Sequence, residues 1–395
     1  VKNYYVLSNG RVRRSQNTLF IDQESTGAKK PIPVEDVESL YLFGEVDINT
    51  KVLNFLSQKK IPLHVFNYYG FYAGTYYPRE YLHSGYMLVQ QVAHYSDPAK
   101  RLVIAKETVR ASAHSMLKNV GYYNRRSTDK SKTVDAEPVG EIGMDGVAAQ
   151  VNSGVPSDEE TEEAVDSVAK IDDFEDPFLE DEIEPDDAGG EDNSRSGIFT
   201  SISKLAEYIA SQTSVSELMG IEGKMRERYY EAWKSIIRGE FEFERRVRRP
   251  PDNEVNALIS FGNSMLYTVC TSEIYRTQLT PTISYLHEPG ARRFSLALDV
   301  SELFKPLIVD RVIFRLLNTK QLNESHFDKS LDGCVLNDAG KRLFLTALEE
   351  RLSTTIRHRR LGRHVSYRHL IRLECYKLVR HITGVEQYHA FRAWW

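Results

Sequence analysis

Three residues able to hold a hard cation lie close together in "YLHEPGARRFSLALDVSELF", residues 285–304. His287 precedes a Pro-Gly turn, and Asp299 and Glu302 follow, three residues apart. If "DVSELF" forms a helical turn, the two carboxylates share a face. The turn after His287 can then fold its imidazole back toward Asp299. One imidazole with two or three carboxylates suits an exchangeable Mg²⁺ or Mn²⁺ better than a closed zinc site. Such an ion activates a water or hydroxyl and stabilises charge on a phosphate being displaced. The competing reading makes His287 a hydrogen-bonded loop histidine and Asp299 a helix cap, and spacing alone leaves both open.

A further carboxylate comes from "LMGIEGKMRERYYEAWKSII". Leu218, Ile221, Met225, Tyr229, Ala232 and Ile236 form an apolar stripe at helical spacing, and Glu222 flanks it. A carboxylate at that edge is partly desolvated, so a cation or an arginine must relieve it. Arg226 stands at i+4 and is the simple partner.

Cations cluster elsewhere. "RHRRLGRHVSYRHLIRLECYKLVRH", residues 357–381, holds eight Arg/Lys and four His against Glu374 alone. Ile371, Cys375, Leu378 and Ile382 make a buried stripe, which leaves His369, Arg372, Tyr376 and Arg380 on the opposite side. "RRVRRPP", residues 245–251, is a second basic cluster, and its prolines forbid continuous helix. The candidate DNA contacts are Arg245, Arg246, Arg248, Arg249, Arg357, Arg359, Arg360, Arg372 and Arg380. An ordinary solvated face is the plainer alternative.

The elements that must position these groups change character along the chain. Residues 3–80 read as strands: "TLFID", "ESLYLFG", "PLHVFN" and "FYAGTYY" are rich in aromatic and branched residues. Asn9-Gly10 suggests a type I′ hairpin, and "DINTKVLNFLSQKK" a helix capped by Asn49 or Thr50. The block "FNYYGFYAGTYYPREYLHSGY" has nine Phe/Tyr and is expected to pack strands or a subunit interface rather than stack on bases. From about residue 85 the period turns helical, broken at Asp97-Pro98, with helices expected at 199–214, 216–238, 253–277, 305–318, 338–358 and 365–382. The fold class is therefore α+β: a mainly antiparallel β domain over 1–84, then an all-α domain over 85–395.

Residues 133–193 hold 22 Asp/Glu against Lys170, a net of −21; the whole chain is −5, so everything else carries +16. The acidic stretch lacks periodicity and is expected to be a disordered insertion spanning 128–197. A DNA mimic that shields the basic body, or a contact for a basic partner, is the sharper alternative. A body that basic points to a polyanionic partner, most commonly nucleic acid. Hydrophobic content of 41% fits a soluble globular protein, and no apolar run approaches a membrane span. "VKNYYVLSNGRVRR" has no hydrophobic stretch of the signal-peptide kind, and Cys270, Cys334 and Cys375 form no CxxC pair. A reducing cytoplasm is the expected location.

Nearly the whole chain outside the insertion resembles the CRISPR-associated "Cas one" spacer-acquisition integrases of type I-B systems. The likeness rests on "VEDVESLYLFGEVDINTKVLNFLSQKKIPLHVFNYYGFYAGTYYPRE", "LMGIEGKMRERYY", "RRPPDNEVNALISFGNSMLY", "YLHEP", "SLALDVSELFKPLIVDRVIFRL" and "SYRHLIRLECYKLVRH", in order. The resemblance implies a β-rich dimerisation domain and a helical domain holding Mg²⁺ or Mn²⁺. Its catalytic and metal-binding residues fall on Glu222, His287 and Asp299, with Glu302 as a second acidic position. Asn256 and Tyr267 fall near the site without an assigned role. It also implies a metal-dependent endonuclease and integrase acting on double-stranded and branched DNA. Two homodimers would flank one dimer of the small "Cas two" protein and insert short foreign DNA at a CRISPR repeat boundary by 3′-hydroxyl attack. The acidic insertion departs from the family pattern. A non-catalytic DNA-binding scaffold and a junction nuclease of DNA repair are the competing functions.

Overall fold

The structure is a computed structural model that describes residues 2–67, 69–79, 82, 84–128, 193–247, 250–290, 294–330 and 333–394. Its first strands are β1 (Lys2–Val6), β2 (Gly10–Ser15), β3 (Thr18–Gln23), β4 (Lys29–Ile32), β5 (Val37–Leu42), β6 (Val46–Ile48), β7 (Leu63–Phe66) and β8 (Tyr72–Tyr76). They form two four-stranded sheets, ordered β1-β5-β7-β8 and β4-β3-β2-β6. The α+β class is as expected, but the pairing is mixed rather than mainly antiparallel. The ladders β1–β5, β5–β7 and β2–β6 are parallel. A parallel pair needs a crossover connection. Between β5 and β7 it includes helix α1 (Thr50–Gln58), whose N-cap Asn49 accepts from the Val52 amide.

Asn9-Gly10 is not a hairpin. β1 and β2 belong to different sheets, and Gly10 opens β2, where an added Cβ would lie 2.2 Å from the Asp22 carbonyl oxygen. The two-residue turn comes later: Ser15 pairs with Thr18, and Gln16 takes a φ of +53°. Gly10 is required here for close approach, and Asn9 for accepting from the Glu45 amide at 2.9 Å, rather than for turning the chain.

Every residue of β5 is buried. Leu40 and Leu42 face the core between the sheets with Val12, Leu19, Phe55 and Leu63. Tyr41 and Phe43 join the core of the helical part, where Phe43 stacks on Phe66 at 4.4 Å. The aromatic block continues this seam: Tyr72 meets Tyr267 edge-on, and Tyr77 packs on Tyr275 and Phe294.

The helical part comprises α2 (Gly85–Ser96), α3 (Pro98–Thr128), α4 (Asn193–Glu207), α5 (Val215–Ile236), α6 (Glu254–Tyr275), α7 (Ser295–Phe304), α8 (Arg311–Asn318), α9 (Asp338–Ser353) and α10 (Tyr367–Ile382). The part is not purely helical. Hairpins β9–β10 (Phe327–Ser330, Gly333–Leu336) and β11–β12 (Thr355–Arg357, His364–Ser366) interrupt it. The helix expected over 338–358 stops at Ser353, where the β-branched run Thr354-Thr355-Ile356 enters a strand. The chain resumes as helix at Asn193 rather than 199; the rest of the insertion, residues 129–192, lies outside the described residues. On either side of it α3 and α4 lie together, with Arg195 donating to the Tyr123 carbonyl at 3.1 Å and Phe199 beside Gly121.

A buried ion network joins strand β5 to three helices. Glu38 meets Arg276 of the α6 end at 3.3 Å, and Arg368 and Arg372 of α10 at 3.2 and 2.9 Å. Glu273 takes the other side of Arg372, and Glu349 of α9 that of Arg368. Burial pushes the Glu38 carboxyl up, but the three guanidinium groups outweigh it and hold it below the usual range. Arg372 is thus held within the fold by Glu38 and Glu273.

Candidate metal centre

Helix α5 starts at Ser214, whose side chain caps the Glu217 amide while Glu217 reaches back to the Ser214 amide. Leu218, Met225, Tyr229, Ala232 and Ile236 are buried as the stripe requires, with Trp233 added between them. Glu222 and Arg226 emerge from the edge of that face, and the Arg226 Nη2 lies 3.2 Å from Glu222 Oε1.

Helix α7 supplies Asp299 and Glu302, both buried. Its start is pinned by the Tyr267 hydroxyl, which accepts from the Phe294 amide at 2.8 Å. Its end is set by Pro306, which has no N–H to donate to the Glu302 carbonyl. The chain widens there into a π turn, Pro306–Asp310, closed by Asp310 N–H to the Lys305 carbonyl at 3.1 Å. Asn119 of α3 donates to the Pro306 carbonyl at 2.7 Å and braces the turn.

Asp299 is neither a helix cap nor free. Its Oδ2 accepts from the Tyr285 and Leu286 amides at 2.6 and 2.9 Å. Its Oδ1 accepts from the His287 amide at 3.0 Å and from His287 Nδ1 at 2.8 Å. Four donors use all the lone-pair sites of a carboxylate. With Nδ1–H given to Asp299, His287 Nε2 remains for a ligand. Burial opposes protonation of His287, but the Asp299 hydrogen bond and the Asp299 and Glu302 charges outweigh it and raise the imidazole pKa. Arg101 holds the same loop from outside, donating to the Tyr285 carbonyl and pairing with Glu288, each at 2.8 Å. Tyr95 donates to the other Glu288 oxygen at 2.8 Å.

Glu302 lies between two cations. Arg226 Nη2 contacts its Oε2, and Lys305 Nζ its Oε1. Burial would push the carboxyl up, yet Lys305 and Arg226 bring it down to about 2. The His287 charge also acts on it, so the His287–Asp299 pair and the Glu222–Arg226–Glu302–Lys305 cluster are neighbours. The four expected site residues therefore gather as two linked pairs. Among the described residues no three His, Cys, Asp or Glu side chains converge closely enough to hold one ion.

Arg226 was visible from its i+4 spacing and Lys305 sits at i+3 from Glu302, though only the first was singled out. Arg101 comes from 184 residues before Tyr285 and left no local signal. Neither did Asp310, whose carboxyl burial raises to about 7 although Arg226 opposes it. Asn256 turns out to shape the segment before α6: its side chain holds the Arg245 carbonyl, the Val247 amide and the Asp252 carboxylate.

The basic clusters divide. Arg246 donates to Asn256, Ser260 and the Val247 carbonyl. Arg245, Arg357, Arg359 and Arg360 are exposed, and the last pairs with Glu386 at 2.8 Å. Arg359 lies over the Trp394 ring, and Arg380 meets the other Glu386 oxygen at 2.9 Å. Arg248 and Arg249 lie outside the described residues. No helix among the described residues is long and apolar enough to cross a membrane.

Comparison with known proteins places the chain by family and fold. The family model described as "CRISPR associated protein Cas1" matches residues 4–142 and 186–350. The chain is 40% identical over 395 residues to "CRISPR-associated endonuclease Cas1 3" of Thermodesulfovibrio yellowstonii, covering all of both chains. It superposes on the solved structure of a CAS1 protein from Thermotoga maritima with a TM-score of 0.73 at 37% identity, again over the full length of both. A casposase bound to its integration product shares the fold at a TM-score of 0.72 and 17% identity, covering 98% of this chain and 92% of that one.

Proposed function

The chain belongs to the CRISPR-associated Cas1 family, and on that premise we propose that it is a metal-dependent DNA endonuclease and integrase that inserts short foreign DNA at a CRISPR repeat boundary. The observation that carries the reading is that Glu222 and Glu302, from separate helices, both reach the Arg226 guanidinium, while His287, its Nδ1 engaged by Asp299, acts on Glu302 electrostatically. Three such donors, two carboxylates and one imidazole, fit Mg²⁺ or Mn²⁺ by type. Glu222, Glu302 and His287 Nε2 would hold the ion. Asp299, its oxygens already engaged, would act from behind by fixing the 285–287 loop and the histidine tautomer.

In the reaction a 3′-hydroxyl of the incoming DNA attacks phosphorus and the bridging oxygen on the far side leaves. When bound, the divalent cation would stabilise charge on the attacking and leaving oxygens. The chain's own part is to hold the donors still. Asp299 and Arg101 clamp the histidine loop, and the brace from Asn119 to the π turn fixes the end of the helix that carries Glu302. Exposed arginines of the β11–β12 hairpin would meet DNA phosphates. The partners on this reading are double-stranded and branched DNA, a second copy of the chain and the small "Cas two" protein, in the cytoplasm.

The test is strand transfer of a short duplex into a repeat-bearing plasmid in Mn²⁺. Glu222→Ala and His287→Ala should each lose on the order of a hundredfold or more of the rate, while DNA retention in a gel shift stays. Strand transfer that survives both substitutions would overturn the catalytic assignment of these residues, and wild type that retains DNA but performs no strand transfer would leave a non-catalytic scaffold.

A further inference from the structure

Glu222 and Glu302 project from α5 and α7 toward one guanidinium. Arg226 Nη2 stands 3.2 Å from Glu222 Oε1, touches Glu302 Oε2, and lies 3.3 Å from Ser112 Oγ. Lys305 Nζ holds the second Glu302 oxygen. These side chains are shielded from water, with exposures of 12% for Arg226, 18% for Glu222, 9% for Glu302 and 17% for Lys305. Carboxylates gathered in such a place repel each other and are poorly solvated, which favours a cation between them. A guanidinium nitrogen that bridges oxygens of both carboxylates occupies ground that an ion shared by them would need. Tyr230 of the same helix and Asp310 of the π turn also act on this guanidinium electrostatically, and Asp310 accepts from the Tyr229 hydroxyl at 3.0 Å.

We propose that Arg226 is an internal stand-in for the divalent cation, competing with it for Glu222 and Glu302 and so setting how tightly this site takes its metal. The proposal rests on the reading that these carboxylates bind the ion. A ligand that binds only one arrangement of a site has its apparent affinity reduced by the fraction of molecules in that arrangement. If the Arg226-bridged arrangement holds nine molecules in ten, removing the guanidinium tightens binding by about tenfold.

The experiment is a Mn²⁺ titration of the full-length chain, reading free Mn²⁺ by electron paramagnetic resonance, with melting curves in EDTA and in Mn²⁺ alongside. Arg226→Gln should bind Mn²⁺ about tenfold more tightly than wild type. It should also melt lower in EDTA and gain more on adding Mn²⁺, because the ion then replaces a missing internal charge. Arg226→Lys, which keeps a charge but cannot bridge as a planar fork, should fall between. Lys305→Met removes the second competitor by a different route and should also tighten binding, which keeps the idea testable if Arg226→Gln does not fold. Mn²⁺ affinity that is unchanged or weaker in these variants, with wild-type binding intact, overturns the stand-in role and makes Arg226 a strut. No specific binding by wild type instead overturns the metal reading itself.

Discussion

At the scale of single residues, hydrogen-bond saturation sets what each carboxylate can do. Glu222, His287, Asp299 and Glu302, the residues named by type and by the resemblance, lie as two linked pairs. Their division of labour was not visible, because hydrogen-bond saturation is a property of place. Asp299 is filled by three amides and an imidazole of a loop that folds back on it, and nothing in "LALD" announces that. Buried polar groups far from the site were equally silent. His64 on β7 is fully buried between Thr75 at 2.7 Å and Ser272 of α6 at 2.8 Å. Burial pushes its pKa down to about 3. A folded pKa below the ordinary 6.5 means that its stabilising contribution is present above pH 6.5 and is lost as the pH falls from there toward 3. Wild type should therefore lose several kcal/mol relative to His64→Gln between pH 7 and about 4, as read from urea unfolding at each pH. Parallel pH profiles for the two proteins would show that His64 titrates normally.

At the scale of elements, apolar period found the long helices and the strands β3, β5, β7 and β8, since burial of a face leaves a trace in spacing. It missed β4 and β6, which are three or four residues long and half exposed. It also misread Asn9-Gly10, because a turn dipeptide and a close backbone approach call for the same residues. Gly262 in α6 is another case of close approach. A Cβ there would meet Val309 of the π turn at 2.5 Å and the Phe344 ring of α9 at 2.8 Å. Gly262→Ala should destabilise the fold by about 1–3 kcal/mol despite the better helix former. It should also disturb the turn that follows Glu302, so that activity falls more than stability alone explains. Equilibrium unfolding and strand-transfer rates on the same preparation check both; a stabilised variant would mean that α6 and the π turn have room to part.

For the whole molecule, charge was the most readable property and the most easily misassigned. The excess of +16 outside residues 133–193 is fixed by sequence, but part of it is consumed internally: Arg368, Arg372 and Arg276 face Glu38, and Arg246 braces α6. What stays exposed is the set around β11–β12 and Arg245, the set proposed to meet DNA. Replacing 133–193 by a short Gly-Ser linker removes a charge of −21. Non-specific duplex affinity at low salt should then rise, with a steeper fall as salt increases. Fluorescence anisotropy across a salt series measures this, and affinity that does not change would remove any shielding role.

The pairing of α3 with α4 has a consequence of another kind. Because Arg195 donates to the Tyr123 carbonyl, the described chain on either side of residues 129–192 comes together at one spot. Closing a loop between neighbouring ends costs only about 0.6 kcal/mol for each doubling of its length. Such a junction should tolerate changes in both length and content without moving α5 and α7. It is equally a port at which a fluorescent or affinity module could be grafted with little penalty to the fold.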